Sequence, residues 1–172
     1  KRRIGEEPVI LNMDLTEKSI TNLETYLRTK GYFNSKVTYQ IDTTRRAHRA
    51  EVTYTIRQGE ATRIASLDYD FRDSSLRNIV LADSVGCLLK SGDALDITLL
   101  DAERDRIAAY LNDRGYFDFT VNNISYNVDT LIGNNYANVQ MVVNPMLQGY
   151  SVMGVPQWED NALYRLRDIN VY

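Results

Sequence analysis

Cysteine is almost missing from this 172-residue chain; Cys87 is the only one. A single thiol excludes an internal disulfide and leaves too few soft ligands for a structural zinc site. Histidine is just as scarce. His48 stands alone, which argues against a metal cluster or a proton relay. Three prolines and nine glycines are too few for collagen-like or low-complexity structure. No run approaches the roughly 18 apolar residues of a membrane-spanning helix. Positive charge is not in excess: the net charge is −3, which excludes a duplex nucleic-acid footprint and names no partner.

Catalytic patterns are missing too. There is no phosphate-binding loop, no dinucleotide fingerprint and no Gly-x-Ser-x-Gly. Cys87 lies between Gly86 and Leu88-Leu89, which suits a small buried apolar residue better than a nucleophile. Asp68, Asp70 and Asp73 begin like a calcium loop, but the sixth position is not glycine and the twelfth is Ile79. Asp101, Glu103 and Asp105 fall near the start of a predicted helix, where acids are favourable. The expectation is a chain that is not an enzyme, with no catalytic residue, no cofactor and no metal.

Tyrosine is plentiful, with twelve residues, many in alternating strand-like runs. An internal repeat organises them. Tyr26-Leu27-Arg28-Thr29-Lys30-Gly31-Tyr32-Phe33 returns 84 positions later as Tyr110-Leu111-Asn112-Asp113-Arg114-Gly115-Tyr116-Phe117. Val37 then matches Val121. Further on, Tyr39 to Thr43 matches Tyr126 to Thr130, and Ala50-Glu51-Val52 matches Ala137-Asn138-Val139, now at an offset of 87. A three-residue insertion between 121 and 126 reconciles the offsets.

Each copy starts with a predicted helix. Ile20, Leu23, Tyr26 and Leu27 share one face of the first, capped by Asp14 with Glu17. Leu100, Ile107, Tyr110 and Leu111 share a face of the second, capped by Thr98 with Asp101. Gly31 and Gly115 stop the helices, and the aromatics after them are expected to close the core. Antiparallel hairpins follow. Val37, Tyr39 and Ile41 alternate, as do Val52, Tyr54 and Ile56; the second copy gives 121–128 and 136–143 around Gly133-Asn134-Asn135. The turn containing Arg45, Arg46, His48 and Arg49 is a solvated hairpin tip. Between the copies, 64–71 alternates as a strand and 74–82 is a short helix with Leu76, Ile79 and Val80 inward. Residues 164–171 resemble 63–70.

The unit is therefore strand, helix, helix, strand, strand. The expected organisation is 1–60, the later part of one module; 61–146, a complete module; 147–163, a linker or insertion; and 164–172, the first strand of another. The chain starts at Lys1 without an initiator methionine and is expected to be a piece of a longer protein, so the missing signal peptide carries no information on location.

Units of this order with Gly-Tyr-Phe after the second helix resemble POTRA domains (polypeptide-transport-associated domains). Ile4-Gly5-Glu6-Glu7-Pro8-Val9, Gly31-Tyr32-Phe33 and Thr55-Ile56-Arg57-Gln58-Gly59-Glu60 look most like the BamA/TamA surface-antigen family. The second copy departs by ending Val143-Asn144-Pro145-Met146, without Gly-Glu, before the long segment 147–163. The resemblance implies an α+β fold of tandem β-α-α-β-β modules, two helices on one face of a three-stranded mixed sheet. It implies the periplasmic portion of an outer-membrane protein whose C-terminal barrel is absent from this fragment. The implied partners are unfolded outer-membrane or exported polypeptides, and accessory lipoproteins or periplasmic proteins.

In such units the last strand lies centrally and the one before it is an open edge. The implied polypeptide-binding edges are Val37, Thr38, Tyr39, Gln40 and Ile41 within 36–43, and Val121, Asn122, Asn123, Ile124, Ser125 and Tyr126 within 119–129. An open edge can take a client strand through main-chain bonds that ignore side-chain identity. The alternatives are a dedicated secretion transporter and a docking module for accessory proteins.

Overall fold

The computed structural model describes residues 10–44, 49–165 and 167–168. The chain falls into two compact units, Lys1–Glu60 and Ala61–Tyr172. Arg45, Arg46 and His48 of the basic turn, the 4–9 segment, Leu166 and residues 169–172 lie outside the described residues.

In the first unit, helix α1 (Met13–Thr29) precedes strands β1 (Lys36–Asp42) and β2 (Glu51–Arg57). The helix is capped by Asn12, whose side-chain oxygen accepts from the Asp14 and Leu15 amides at 2.9 and 3.3 Å. The Asp14–Glu17 box is not the cap, because Asn12 is as good an acceptor and holds extended backbone two residues earlier. Thr16 and Leu27 are buried, and Ile20 and Leu23 half-buried. Tyr26 is 59% exposed, since it lies about 100° around the helix from Leu27 and off that stripe. β1 and β2 are antiparallel, with Lys36 opposite Arg57 and Asp42 opposite Glu51.

In the second unit, β3 (Arg63–Phe71) leads through a 3-10 turn (Ser74–Leu76) to helix α2 (Arg77–Ala82), then to α3 (Ile97–Asn112), β4 (Ile124–Asp129) and β5 (Tyr136–Val143). The sheet order is β3-β5-β4; β3 is parallel to β5, and β4 antiparallel. This is the expected mixed three-stranded sheet. α3 is capped by Asp96, which accepts the Thr98 amide at 2.8 Å, in place of the expected Thr98–Asp101 pair. Leu76, Val80, Leu100, Ile107 and Leu111 meet Ala137, Val139, Met141 and Val143 in one core. All four of those β5 residues are fully buried, as befits a central strand.

Both helices end in the same Schellman geometry. Tyr32 N–H donates to Leu27 O and Gly31 N–H to Arg28 O; Tyr116 N–H donates to Leu111 O and Gly115 N–H to Asn112 O. Gly31 and Gly115 hold φ of 87° and 94°, the left-handed region that favours glycine.

The 147–163 stretch contains regular structure. β6 (Met146–Tyr150) and β7 (Pro156–Glu159) form a separate antiparallel hairpin. Of the expected strand at 164–172, the described residues Tyr164, Arg165, Arg167 and Asp168 are not in a strand.

Candidate functional site

The edge of β4 is set by ladder parity. Asn144 N–H donates to Asn123 O at 2.7 Å, one step beyond the Ile124–Val143 pair that opens the β4–β5 register. In an antiparallel ladder bonded and non-bonded pairs alternate. Ser125, Asn127 and Asp129 therefore turn their backbone groups to β5, and Ile124, Tyr126 and Val128 turn theirs outward. The Ile124 amide is already taken by Val121 O. What remains open is the Tyr126 and Val128 donors and the outward carbonyls. The far end closes in a turn, where Asp129 Oδ1 accepts the Leu131 amide at 2.9 Å.

The opposite edge of the sheet differs. Along the first part of β3, Ile64 N–H donates to Asp93 O, Gly92 N–H donates to Ile64 O, and Arg63 bridges Ala94. The 92–94 segment covers that stretch, so β4 carries the more open edge.

β1 repeats the plan by other means. Val37 N–H donates to Glu24 Oε1 at 3.1 Å, which leaves it unavailable to β2 and places Val37, Tyr39 and Ile41 on the outward parity. Asp42 Oδ1 accepts the Thr44 amide and hydroxyl, which hold its carboxyl below the usual carboxylate range. Both edges thus have a filled first donor, two open donors and an aspartate turn at the end. Thr38 and Gln40 point their backbone groups to β2.

Val121, Asn122 and Asn123 do not belong to the second edge strand. They form a 3-10 turn capped by Thr120, whose amide and hydroxyl bond Asn123 Oδ1. Phe119, at the start of the expected strand, is core. The repeat insertion therefore precedes β4, and the structural counterpart of Val37 is Ile124. Both are the first buried residue of an edge strand.

The Gly-Tyr-Phe motifs divide between structure and surface. Tyr116 is buried and Tyr32 half-buried, but Phe33 and Phe117 face outward. Only the tyrosines close toward the core. Phe117 tilts against Tyr164 at 6.2 Å between ring centres. Tyr164 N–H also donates to Gly115 O, and its hydroxyl to Asp118. A Cβ on Gly115 would sit 2.7 Å from Tyr164 O, so the motif doubles as a dock for the chain that follows.

Two buried polar clusters escaped the sequence reading. Asp73 Oδ2 accepts both the backbone and side-chain N–H of Asn161 at 2.8 Å, and Asn161 in turn meets Asn123 and Asn144. Burial pushes the Asp73 carboxyl up, but the bonds from Ser75 and Asn161 outweigh it and hold it below the ordinary value. Glu103, expected as a helix-start acid, is fully buried. It accepts from Arg106 and from the Leu88 amide, while Arg106 also reaches Asp83. This fastens the 83–89 loop to α3. Cys87 is half-buried there, its thiol raised by burial and bonded to Leu89 O. The i, i+3 spacing of Glu103 and Arg106 was the one available signal. Among the described residues no group of three or more His, Cys, Asp or Glu is placed to hold a metal.

Tandem α+β modules, each with an open strand edge, define a class of repeat scaffold. The chain belongs to the POTRA family: the family described as surface antigen variable number repeat matches residues 4–59 and 63–145. Comparison with curated proteins finds no match. Among solved structures the chain is similar to Haemophilus influenzae BamA POTRA3-5, at 18% identity and TM-score 0.46, covering 80% of this chain and 56% of that one. It is similar to BamA from Haemophilus ducreyi lacking POTRA domains 1-3, at 12% identity and TM-score 0.46, covering 80% and 24%. It is also similar to the N-terminal domain of Omp85 from the thermophilic cyanobacterium Thermosynechococcus elongatus, at 18% and TM-score 0.36, covering 77% and 53%. The chain thus spans between a quarter and just over half of those chains.

Proposed function

We propose that this chain is a periplasmic polypeptide-receiving scaffold of an outer-membrane protein assembly or translocation machine, taking unfolded clients as an added strand on β4. The observation that carries this is the contrast between the two edges of one sheet. β4 presents unfilled outward donors at Tyr126 and Val128 and outward carbonyls from Ile124 to Val128, whereas the start of β3 is covered. Five residues are about 17 Å of strand, enough for a few main-chain bonds. The β1 edge offers a second, equivalent window. On this reading 1–60 is the later part of one module, 61–146 a whole one, 147–163 a linker or insertion and 164–172 the opening of the next.

A proline at an outward position removes an edge donor without breaking the ladder inside the sheet. In the intact native protein, a photo-crosslinker at Asn127 should give adducts with outer-membrane or exported polypeptides, and Val128→Pro should abolish them while the fold is kept. Adducts indifferent to Val128→Pro would refute strand addition. A single adduct of fixed size would instead favour the docking-module reading.

A further inference from the structure

The β6–β7 hairpin is graded along its length. Its base carries Glu159 opposite Met146, with Asp160 next in sequence. The next layer pairs Trp158 with Leu147, and a later one pairs Tyr150 with Pro156. The tip holds Val152, Met153 and Val155, of which the first two are essentially fully exposed. Tyr150 and Trp158 are 68% and 52% exposed. No charged residue occurs from Met146 to Trp158. An exposed cluster of large apolar side chains marks an interaction surface.

We propose that this hairpin dips its tip into the interfacial zone of a phospholipid bilayer. The order along the hairpin is carboxylate, aromatic, aliphatic. That is the order of preference from water through the headgroup level to the acyl boundary, where tryptophan and tyrosine collect. The reach fits too. From Trp158 to the tip is three residues of strand, about 10 Å, and interfacial elements bury their apolar side by about 5–10 Å. A protein groove would not require the charges to stop at the base.

The turn supports a shallow seat. Ser151 N–H donates to Val155 O, Gly154 N–H to Ser151 O, and Val155 N–H to Ser151 Oγ. Those bonds satisfy much of the tip backbone, which deeper burial in hydrocarbon would require throughout. The base is held in place by the buried contacts of Asn161 with Asp73. Glu159 and Asp160 would be repelled by an anionic surface, so zwitterionic bilayers should be preferred.

Trp158 is the only tryptophan, which makes it a built-in reporter. The 172-residue chain is mixed with phosphatidylcholine vesicles and with vesicles enriched in phosphatidylglycerol. Trp158 emission should shift to the blue, be quenched by acyl-brominated lipid, and respond more weakly on the anionic vesicles. The double variant Val152→Asp with Met153→Asp should bind about 100-fold more weakly, from the loss of two apolar side chains. Both changes are at an exposed tip, and an unchanged far-ultraviolet spectrum will confirm the fold. No shift at millimolar lipid, or a shift untouched by the double variant, overturns the proposal. A blue shift that grows with protein concentration without lipid also overturns it, in favour of a second copy on the hairpin.

Discussion

The two units place the same hairpin in different surroundings. Val52, Tyr54 and Ile56 of β2 correspond in the repeat to Val139, Met141 and Val143 of β5. The β5 residues are fully buried; Val52 and Tyr54 are only half-buried, and Ile56 is 46% exposed. β5 has the parallel strand β3 on one side, β4 on the other, and α3 within its core. Among the described residues β2 pairs only with β1. A helix and a hairpin therefore do not bury their own apolar face. The leading strand and the short helix α2 make the core, in keeping with the difficulty of stabilising small domains.

The sharpest test uses the equivalent residues Leu27 and Leu111. Leu111→Ala should cost about 3–5 kcal/mol in the second unit, the usual range for a buried leucine. Leu27→Ala should cost roughly 2 kcal/mol in a thinner core. Hydrogen exchange resolved by peptide, in urea, separates the units, and equal losses would break the comparison. Next in size is Asp73→Ala, which leaves the Asn161 donors unpaired and should destabilise the second unit alone by about 2 kcal/mol. Because the folded Asp73 sits below its ordinary 3.8, its stabilisation is in place above that value and fades as the pH falls through the lower folded one. An acid titration should therefore loosen the second unit in the wild type, with that component absent from the alanine variant. The smallest effect belongs to Glu24→Ala. It should change stability by less than about 1 kcal/mol, while the Val37 amide loses protection and the β1 edge gains a donor.

Much of the fold was legible because periodicity and glycine speak locally. The helix, glycine and alternating strands of both copies follow from short spacings. Less legible were features that depend on distant partners. Asn12 and Asp96 win as caps through a shift of two residues that propensity does not resolve. The 3-10 turn at 121–123 hides inside an alignment that tolerates its three residues on either side. Glu103 reads as an ordinary helix-start acid until Arg106 and the Leu88 amide close on it. Asp73 lies 88 positions from Asn161, beyond any local pattern. Of the expected site, Val37, Tyr39, Ile41, Ile124 and Tyr126 fall on outward parity, the donors of Val37 and Ile124 being filled. Parity itself needs the ladder and could not be read from alternation alone.

The Asp73–Asn161 contact also sets an order of events. The family match closes at residue 145, yet a carboxylate near the start of the second unit finds its donors at residue 161. During synthesis every residue of the module's helices and three-stranded sheet emerges before those donors do. A module without Asn161 would leave Asp73 Oδ2 without both of these donors. The stretch that defines the module by descent is thus shorter than the stretch that finishes it as a folded object.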